Sequence, residues 1–128
     1  MFSKFRKLIF KIDPEIAHSL AIKSLKLNLA VNIFDEEKND PIFETKLFGK
    51  KLDNPIGLAA GFDKNAEVYN SLFKLGFGFV EVGTVTPKPQ TGNPKPRIFR
   101  DPSTGAVINR MGFPNKGLTV FKDNITLV

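Results

Sequence analysis

Two short apolar runs, separated by one helical stretch, limit what this chain can fold into. The first, Asn54-Pro55-Ile56-Gly57-Leu58-Ala59-Ala60-Gly61, passes into Phe62-Asp63-Lys64, and the second, Phe79-Val80-Glu81-Val82, ends in Gly83-Thr84. Between them Val68, Leu72 and Leu75 recur at helical spacing, and Gly76 stops the helix. Strand, loop, helix, strand is the crossover unit of a parallel sheet. Ligands of such sheets gather at the carboxyl ends of the strands. Ala60 and Gly61 remove side chains there, so a flat ligand can approach the backbone. Asp63 and Lys64 then set two opposite charges on the loop above. The expectation is an α/β chain with a binding rim at this end.

Composition narrows the chemistry. The chain has 128 residues, enough for one modest domain with its own core. Its hydrophobic fraction of 41% is ordinary for a globular protein. The absence of cysteine excludes disulfides, thiolate metal sites and cysteine nucleophiles, and suits a reducing compartment. A single histidine excludes a multi-histidine metal site. The net charge of +6 invites a nucleic-acid or anionic-membrane reading. Most lysines are spread singly, however, which is the pattern of plain solvation, and only the N-terminus concentrates them. No apolar run approaches the roughly 18 residues that span a bilayer. The opening Met1 to Lys7 also lacks the long apolar core of a signal peptide.

Taken in order, residues 2–12 read as an amphipathic helix. Phe2, Phe5, Ile9 and Ile12 share one face, and Lys4, Lys7 and Lys11 lie opposite. That pattern suits a helix resting on anionic lipid and equally one docked on its own domain. Asp13-Pro14-Glu15 is a helix start, so a second helix is expected from about Pro14 to Leu29. His18 falls on its side with Ile22, Leu25 and Leu29, where a satisfied core histidine is the plainer reading. Residues 31–43 read as a polar linker. Thr45 to Leu52 suggests a small hairpin about Gly49. Thr86 to Arg97, with four prolines, can be neither helix nor central strand and is expected to run over the surface. A second hairpin turns at Asp101 to Gly105. It leads to Asn109-Arg110-Met111-Gly112-Phe113, a cluster that can offer an amide and backbone N–H groups to a carboxylate or planar ring, or be a plain turn. Gly117 to Val128 reads as the start of a further helix.

Asn54 to Lys64, Gly76 to Pro87, Gly92 to Arg100 and Ile108 to Phe113, in this order, resemble dihydroorotate dehydrogenase, and the helical pair with Asp13 to His18 resembles its membrane-associated, quinone-reducing class. The resemblance implies a (β/α)8 barrel preceded by an N-terminal two-helix extension. On that basis residues 1–30 form the membrane and quinone-tunnel extension, 31–43 the linker, and 44–128 the first part of an FMN-binding barrel. It implies oxidation of dihydroorotate to orotate in pyrimidine synthesis, with hydride passing to FMN and electrons to quinone. By resemblance Ala60, Gly61, Phe62, Asp63, Lys64 and Thr84 contact FMN. Lys64 also reaches the substrate, with Asn109, Arg110, Met111, Gly112 and Phe113. His18 and Arg100 match positions lining the quinone tunnel, which shifts both from structural to functional. The implied partners are dihydroorotate, a membrane quinone and an anionic membrane surface met by residues 2–29, with no nucleic acid and no metal. A monomer at the cytoplasmic face of a bacterial inner membrane is the matching expectation.

The sequence departs from the family pattern in two places. Pro114 follows Phe113 where the family commonly has Asn, removing a polar side chain and a backbone donor. The sequence also ends at Val128, whereas such a barrel needs about 250 residues. The serine that serves this class as base is therefore expected downstream, and an N-terminal fragment inactive alone is the expectation. Competing readings are a non-catalytic membrane-surface module, a phosphate-binding barrel of other chemistry, and a basic nucleic-acid binder. The last calls for clustered cations with interleaved aromatics, which only the first helix approaches.

Overall fold

A computed structural model of the chain describes residues 8–29 and 40–126. Most of the helix expected over residues 2–12, and most of the linker, lie outside the described residues. Of the former, residues 8–12 close a turn, with the N–H groups of Lys11 and Ile12 donating to the carbonyls of Leu8 and Ile9 at 3.1 Å each.

Helix α1 spans Pro14–Lys26. The Asp13 carboxylate accepts the N–H groups of Glu15 and Ile16 at 3.0 Å each, taking up donors the first turn leaves unpaired. Glu15 in the first turn and Lys23 and Lys26 in the last complement the helix dipole. The helix stops short of the expected Leu29 because Asn28 enters the left-handed region at φ 54. Leu29 is accordingly exposed, and only Leu25 of the predicted apolar stripe is fully buried.

Pro41–Phe43 form one 3-10 turn, capped by the Asp40 carboxylate on the Ile42 N–H at 3.0 Å. Strands β1 (Thr45–Leu47) and β2 (Lys50–Leu52) then pair antiparallel as expected. Phe48 and Gly49, at φ 48 and 75, form the two-residue left-handed turn that matches strand twist.

Strand β3 (Gly57–Leu58), helix α2 (Tyr69–Lys74) and strand β4 (Phe79–Val80) form the crossover unit, with β3 and β4 parallel in the register Gly57 to Phe79 and Leu58 to Val80. The helix is shorter than the Val68-to-Leu75 spacing suggests, because residues 61–68 are spent on the loop before it. After β4 the chain makes β5 (Ile98–Asp101) and β6 (Ala106–Asn109), an antiparallel hairpin, and α3 (Gly117–Thr126). The described strands thus make three two-stranded sheets in a mixed α/β chain.

The core joins α1 to the crossover unit. Leu25, Val68 and Leu72 are buried together, with Ile22, Leu58, Phe62, Leu75, Phe77 and Val80 packed around them. Truncating Leu72, 2% exposed, leaves a cavity where α1, α2 and the sheet meet. Leu72→Ala is expected to lower stability by about 2–4 kcal/mol in urea denaturation. A loss below about 1 kcal/mol would show that the cluster is not the organising core.

Candidate ligand-binding rim

The site begins as a continuation of the β3–β4 ladder. Beyond the strands, Glu81 N–H donates to Leu58 O at 2.9 Å, Gly61 N–H to Gly83 O at 2.8 Å, and Gly83 N–H to Asp63 O at 3.0 Å. This brings residues 61–64 and Thr84 to one end of the sheet. Ala59, Ala60, Gly61 and Thr84 are exposed there. Gly61 has φ +112, which an L side chain rarely adopts, and a Cβ placed on it would meet nothing within 4 Å. The space over the rim is therefore open. Lys64 is half-buried and folds back over the rim, its Nζ donating to Gly61 O at 2.6 Å. Burial pushes its ammonium below the ordinary lysine range, the positive charge of Arg97 adds to this, and Glu15 and Asp63 oppose it.

Asp63 corrects the expectation of paired charges on this loop. It is 1% exposed, and its carboxylate accepts the N–H groups of Glu67 at 2.7 Å and Val68 at 2.8 Å. Val68, the N-cap residue of α2, has no capping side-chain bond of its own, so Asp63 serves the helix start from five residues upstream. Only Lys64 brings charge to the rim from this pair.

The segment 109–116 is laced beside the rim by two asparagines absent from the sequence reading. Asn65 Oδ1 accepts Lys116 N–H at 2.8 Å. Asn115, 8% exposed, accepts Thr86 N–H at 3.2 Å and Gly117 N–H at 2.9 Å on its Oδ1, and donates to Thr86 Oγ1 at 2.9 Å. A signal for Asn115 does exist in the sequence: an asparagine two residues before Gly117 can fold onto its own backbone. The predicted surface run 86–97 is not a free excursion. Gln90 pairs with Asn115 through both main-chain groups, and Gly92 lies so close that a Cβ on it would sit 2.2 Å from Met111 O. Within the predicted substrate cluster, Asn109 Oδ1 accepts Met111 N–H at 3.3 Å, and the Arg110 guanidinium donates to Pro96 O at 3.1 and 3.3 Å. Phe113 is 64% exposed.

Helix α1 touches the rim through His18, whose Nε2 lies 2.6 Å from Phe62 O and whose ring meets Phe62 edge-on at 5.3 Å. Arg100 sits elsewhere on the N-terminal side. It donates to Phe10 O at 3.2 Å and Ile12 O at 2.9 Å, with its guanidinium over the Phe10 ring. A bidentate pair joins Arg97 to Glu15 at 2.7 and 2.8 Å, and Lys95 approaches Glu15 at 3.2 Å. Arg97, 9% exposed, also donates to Thr91 O and Asn93 O. The Arg97 guanidinium, helped by Lys95, holds the Glu15 carboxyl down at about 2 against the partial burial that opposes it. The sequence holds no signal for a pair 82 residues apart.

Residues 42–128 match the family described as dihydroorotate dehydrogenase. The chain belongs to the dihydroorotate dehydrogenase family. A protein of Rhodospirillum rubrum named dihydroorotate dehydrogenase (quinone) is 60% identical over 111 residues, which is 87% of this chain and 30% of that protein. One of Buchnera aphidicola with the same name is 53% identical over 123 residues, 94% of this chain and 36% of that protein. The chain thus spans about a third of the length of these relatives. Two crystal structures of the enzyme from Eimeria tenella, one with ferulenol and one ligand-free, superpose with TM-scores of 0.76 and 0.79 at 49% and 48% identity. Each covers 88% of this chain, and the chain covers 30% and 31% of them.

Helix α1 is tied to the proline-rich run by Glu15, and this tie carries a pH dependence. The Glu15 carboxyl falls from an ordinary 4.5 to about 2 on folding, so its contribution is full above pH 4.5 and is lost as pH falls toward 2. Glu15→Gln is expected to cost on the order of 2 kcal/mol at pH 6 and progressively less from pH 4.5 to 3 in urea denaturation. A difference that stays constant over that range would remove the ion pair as its cause.

Proposed function

We propose that this chain forms the flavin rim and quinone-facing side of an enzyme that oxidises dihydroorotate to orotate in pyrimidine synthesis. FMN and a membrane quinone complete the proposal. The observation that carries it is the Gly61–Gly83–Asp63 ladder, which sets a small-residue edge, Lys64 and Thr84 on one open rim. These residues fit a flat, electron-accepting ring. The open space over Gly61 admits it, and Thr84, exposed and with no hydroxyl partner among the described residues, can donate to it. FMN when bound supplies the hydride acceptor and passes electrons on. Lys64 Nζ, already held at the rim by Gly61 O, supplies positive charge where negative charge develops.

The loop Asn109 to Phe113 is the proposed substrate cradle: Asn109 offers its amide, Gly112 and Phe113 their main-chain N–H groups, and Arg110 and Met111 the turn that carries them. With its guanidinium on Pro96 O and its N–H on Arg97 O at 2.9 Å, Arg110 shapes the loop rather than donating from it. The serine base falls outside these 128 residues in this proposal. His18 against Phe62 O and Arg100 beside Phe10 are the proposed quinone contacts, on the α1 side. Ile16 and Leu20 are more than half exposed along α1, as are Leu27 just after it and Leu8 before it. This apolar row supports contact with a membrane surface, and the proposal takes that surface to be the anionic, cytoplasmic face of a bacterial inner membrane. Among the described residues no helix is long and apolar enough to cross a membrane.

The same apolar row favours a second reading, a membrane-surface module without catalysis. Vesicle flotation tests the surface: removing residues 1–30 is expected to abolish binding to anionic vesicles, and undiminished flotation would discard the membrane assignment. Flavin decides between the readings. In the flavin-loaded protein that carries this chain, Lys64→Ala is expected to keep the fold and to lower dihydroorotate turnover by about 100-fold or more. Near-normal turnover in that variant would end the role given to Lys64, and a protein without flavin absorbance would favour the module.

A further inference from the structure

The proposed substrate cradle is held from one side only. Four consecutive carbonyls are taken by neighbouring groups. Arg110 O accepts from Asn93 Nδ2 at 2.7 Å, and Met111 O from the Asn93 main chain at 2.9 Å. Gly112 O accepts from Gln90 Nε2 at 3.3 Å, and Phe113 O from Gln90 Nε2 at 3.4 Å and Asn115 Nδ2 at 2.8 Å. Among the described residues the N–H groups of Gly112 and Phe113 have no acceptor. Both residues lie in the left-handed region, at φ 73 and 55. For a bulky residue such as Phe113 that conformation is an outlier and persists only where surrounding bonds impose it. The orientation of the Asn115 amide is fixed by its partners, since a flip would turn its NH2 toward the N–H groups of Thr86 and Gly117.

We infer that Asn93, Gln90 and Asn115 are positioning residues: by gripping the carbonyls of residues 110–113 they turn the Gly112 and Phe113 amides outward as a paired donor site for a carboxylate. The inference rests on the substrate reading of this loop. It assigns the three side chains a task beyond folding: the Met111 and Gly112 carbonyls, held by the Asn93 main chain and Gln90 Nε2, share peptide planes with the Gly112 and Phe113 amides, and Asn93 Nδ2 and Asn115 Nδ2 fix the flanking carbonyls of Arg110 and Phe113.

Two variants test it in the flavin-loaded protein. Asn93→Ala is on the surface and removes the grip on Arg110 O without opening the core. Asn115→Asp keeps acceptors for Thr86 and Gly117 but cannot donate to Phe113 O. In each, KM for dihydroorotate is expected to rise about fivefold to tenfold with kcat within about twofold, the signature of lost uniform binding. Hydrogen exchange in the peptide 109–113 should quicken while the α3 peptide stays protected. Unchanged exchange in both variants would show that no clamp exists. Faster exchange with unchanged KM would show that the clamp does not serve the substrate. A flavin-loaded parent that fails to oxidise dihydroorotate would sink the substrate reading, while the exchange result would still decide whether the loop is gripped.

Discussion

The main-chain bonds linking Gly61, Gly83 and Asp63 are the constraint on which the rest of this structure depends. They extend the parallel pairing of β3 and β4 past the last strand residue, so two loops leave the sheet in register. Because the pairing uses only backbone, side chains at the rim are left for other tasks. Ala59, Ala60 and Gly61 keep it low and open, and Lys64 and Thr84 bring polarity to it. Asp63, between them in sequence, points inward and satisfies the amides at the start of α2. A buried carboxylate is tolerable only with such partners. One short loop therefore separates building from binding residue by residue.

Charge holds the N-terminal helix to the segments that flank that rim. Glu15 meets Arg97 and Lys95 at the start of α1, and Glu67 meets Lys26 and Lys116 near its end. Exposed ion pairs contribute little, but the Glu15 and Glu67 side chains are only 20% and 11% exposed. In a chain of net charge +6 these acids sit where several basic segments converge. Glu15 fastens α1 to the proline-rich run, and Glu67 fastens it to the start of α3. Between the two anchors His18 is carried to Phe62 O, so the helix on the proposed quinone side bears directly on the backbone of the proposed flavin side.

Local signals in the sequence were good guides to local structure. Apolar runs ending at Gly61 and Thr84, the Asp13-Pro14-Glu15 start, and both hairpins each rest on neighbours a few residues apart, and each forms. What composition and spacing do not carry is direction. Asp63 and Lys64 are adjacent charges in the sequence, yet one is buried and the other half-buried at the rim, a difference set by amides at Glu67 and Val68. The end of α1 depended on Asn28 turning left-handed, and the prolines of residues 87–96 hid the close approach of Gly92 to Met111. Arg97 with Glu15, and Asn65 with Lys116, pair across long separations that no periodicity encodes. The family motifs supplied the roles of His18, Arg100 and residues 109–113; spacing alone did not.

Pro114 shows how such long-range contacts change the meaning of a single residue. In sequence it is a loss, since proline brings neither a side-chain amide nor a backbone donor beside the proposed cradle. In the structure it is half-buried, and its Cδ closes on Gly92, 3.2 Å from where a Cβ there would lie. The ring thus fills the seam between the proline-rich run and the cradle. Donation in this region comes instead from the next residue, whose Nδ2 reaches Phe113 O across the proline. Asn115 is buried and has all its amide positions engaged, so it can hold that carbonyl in place. A polar side chain at 114 is therefore not required for an ordered loop, provided that residue 115 keeps both an acceptor and a donor.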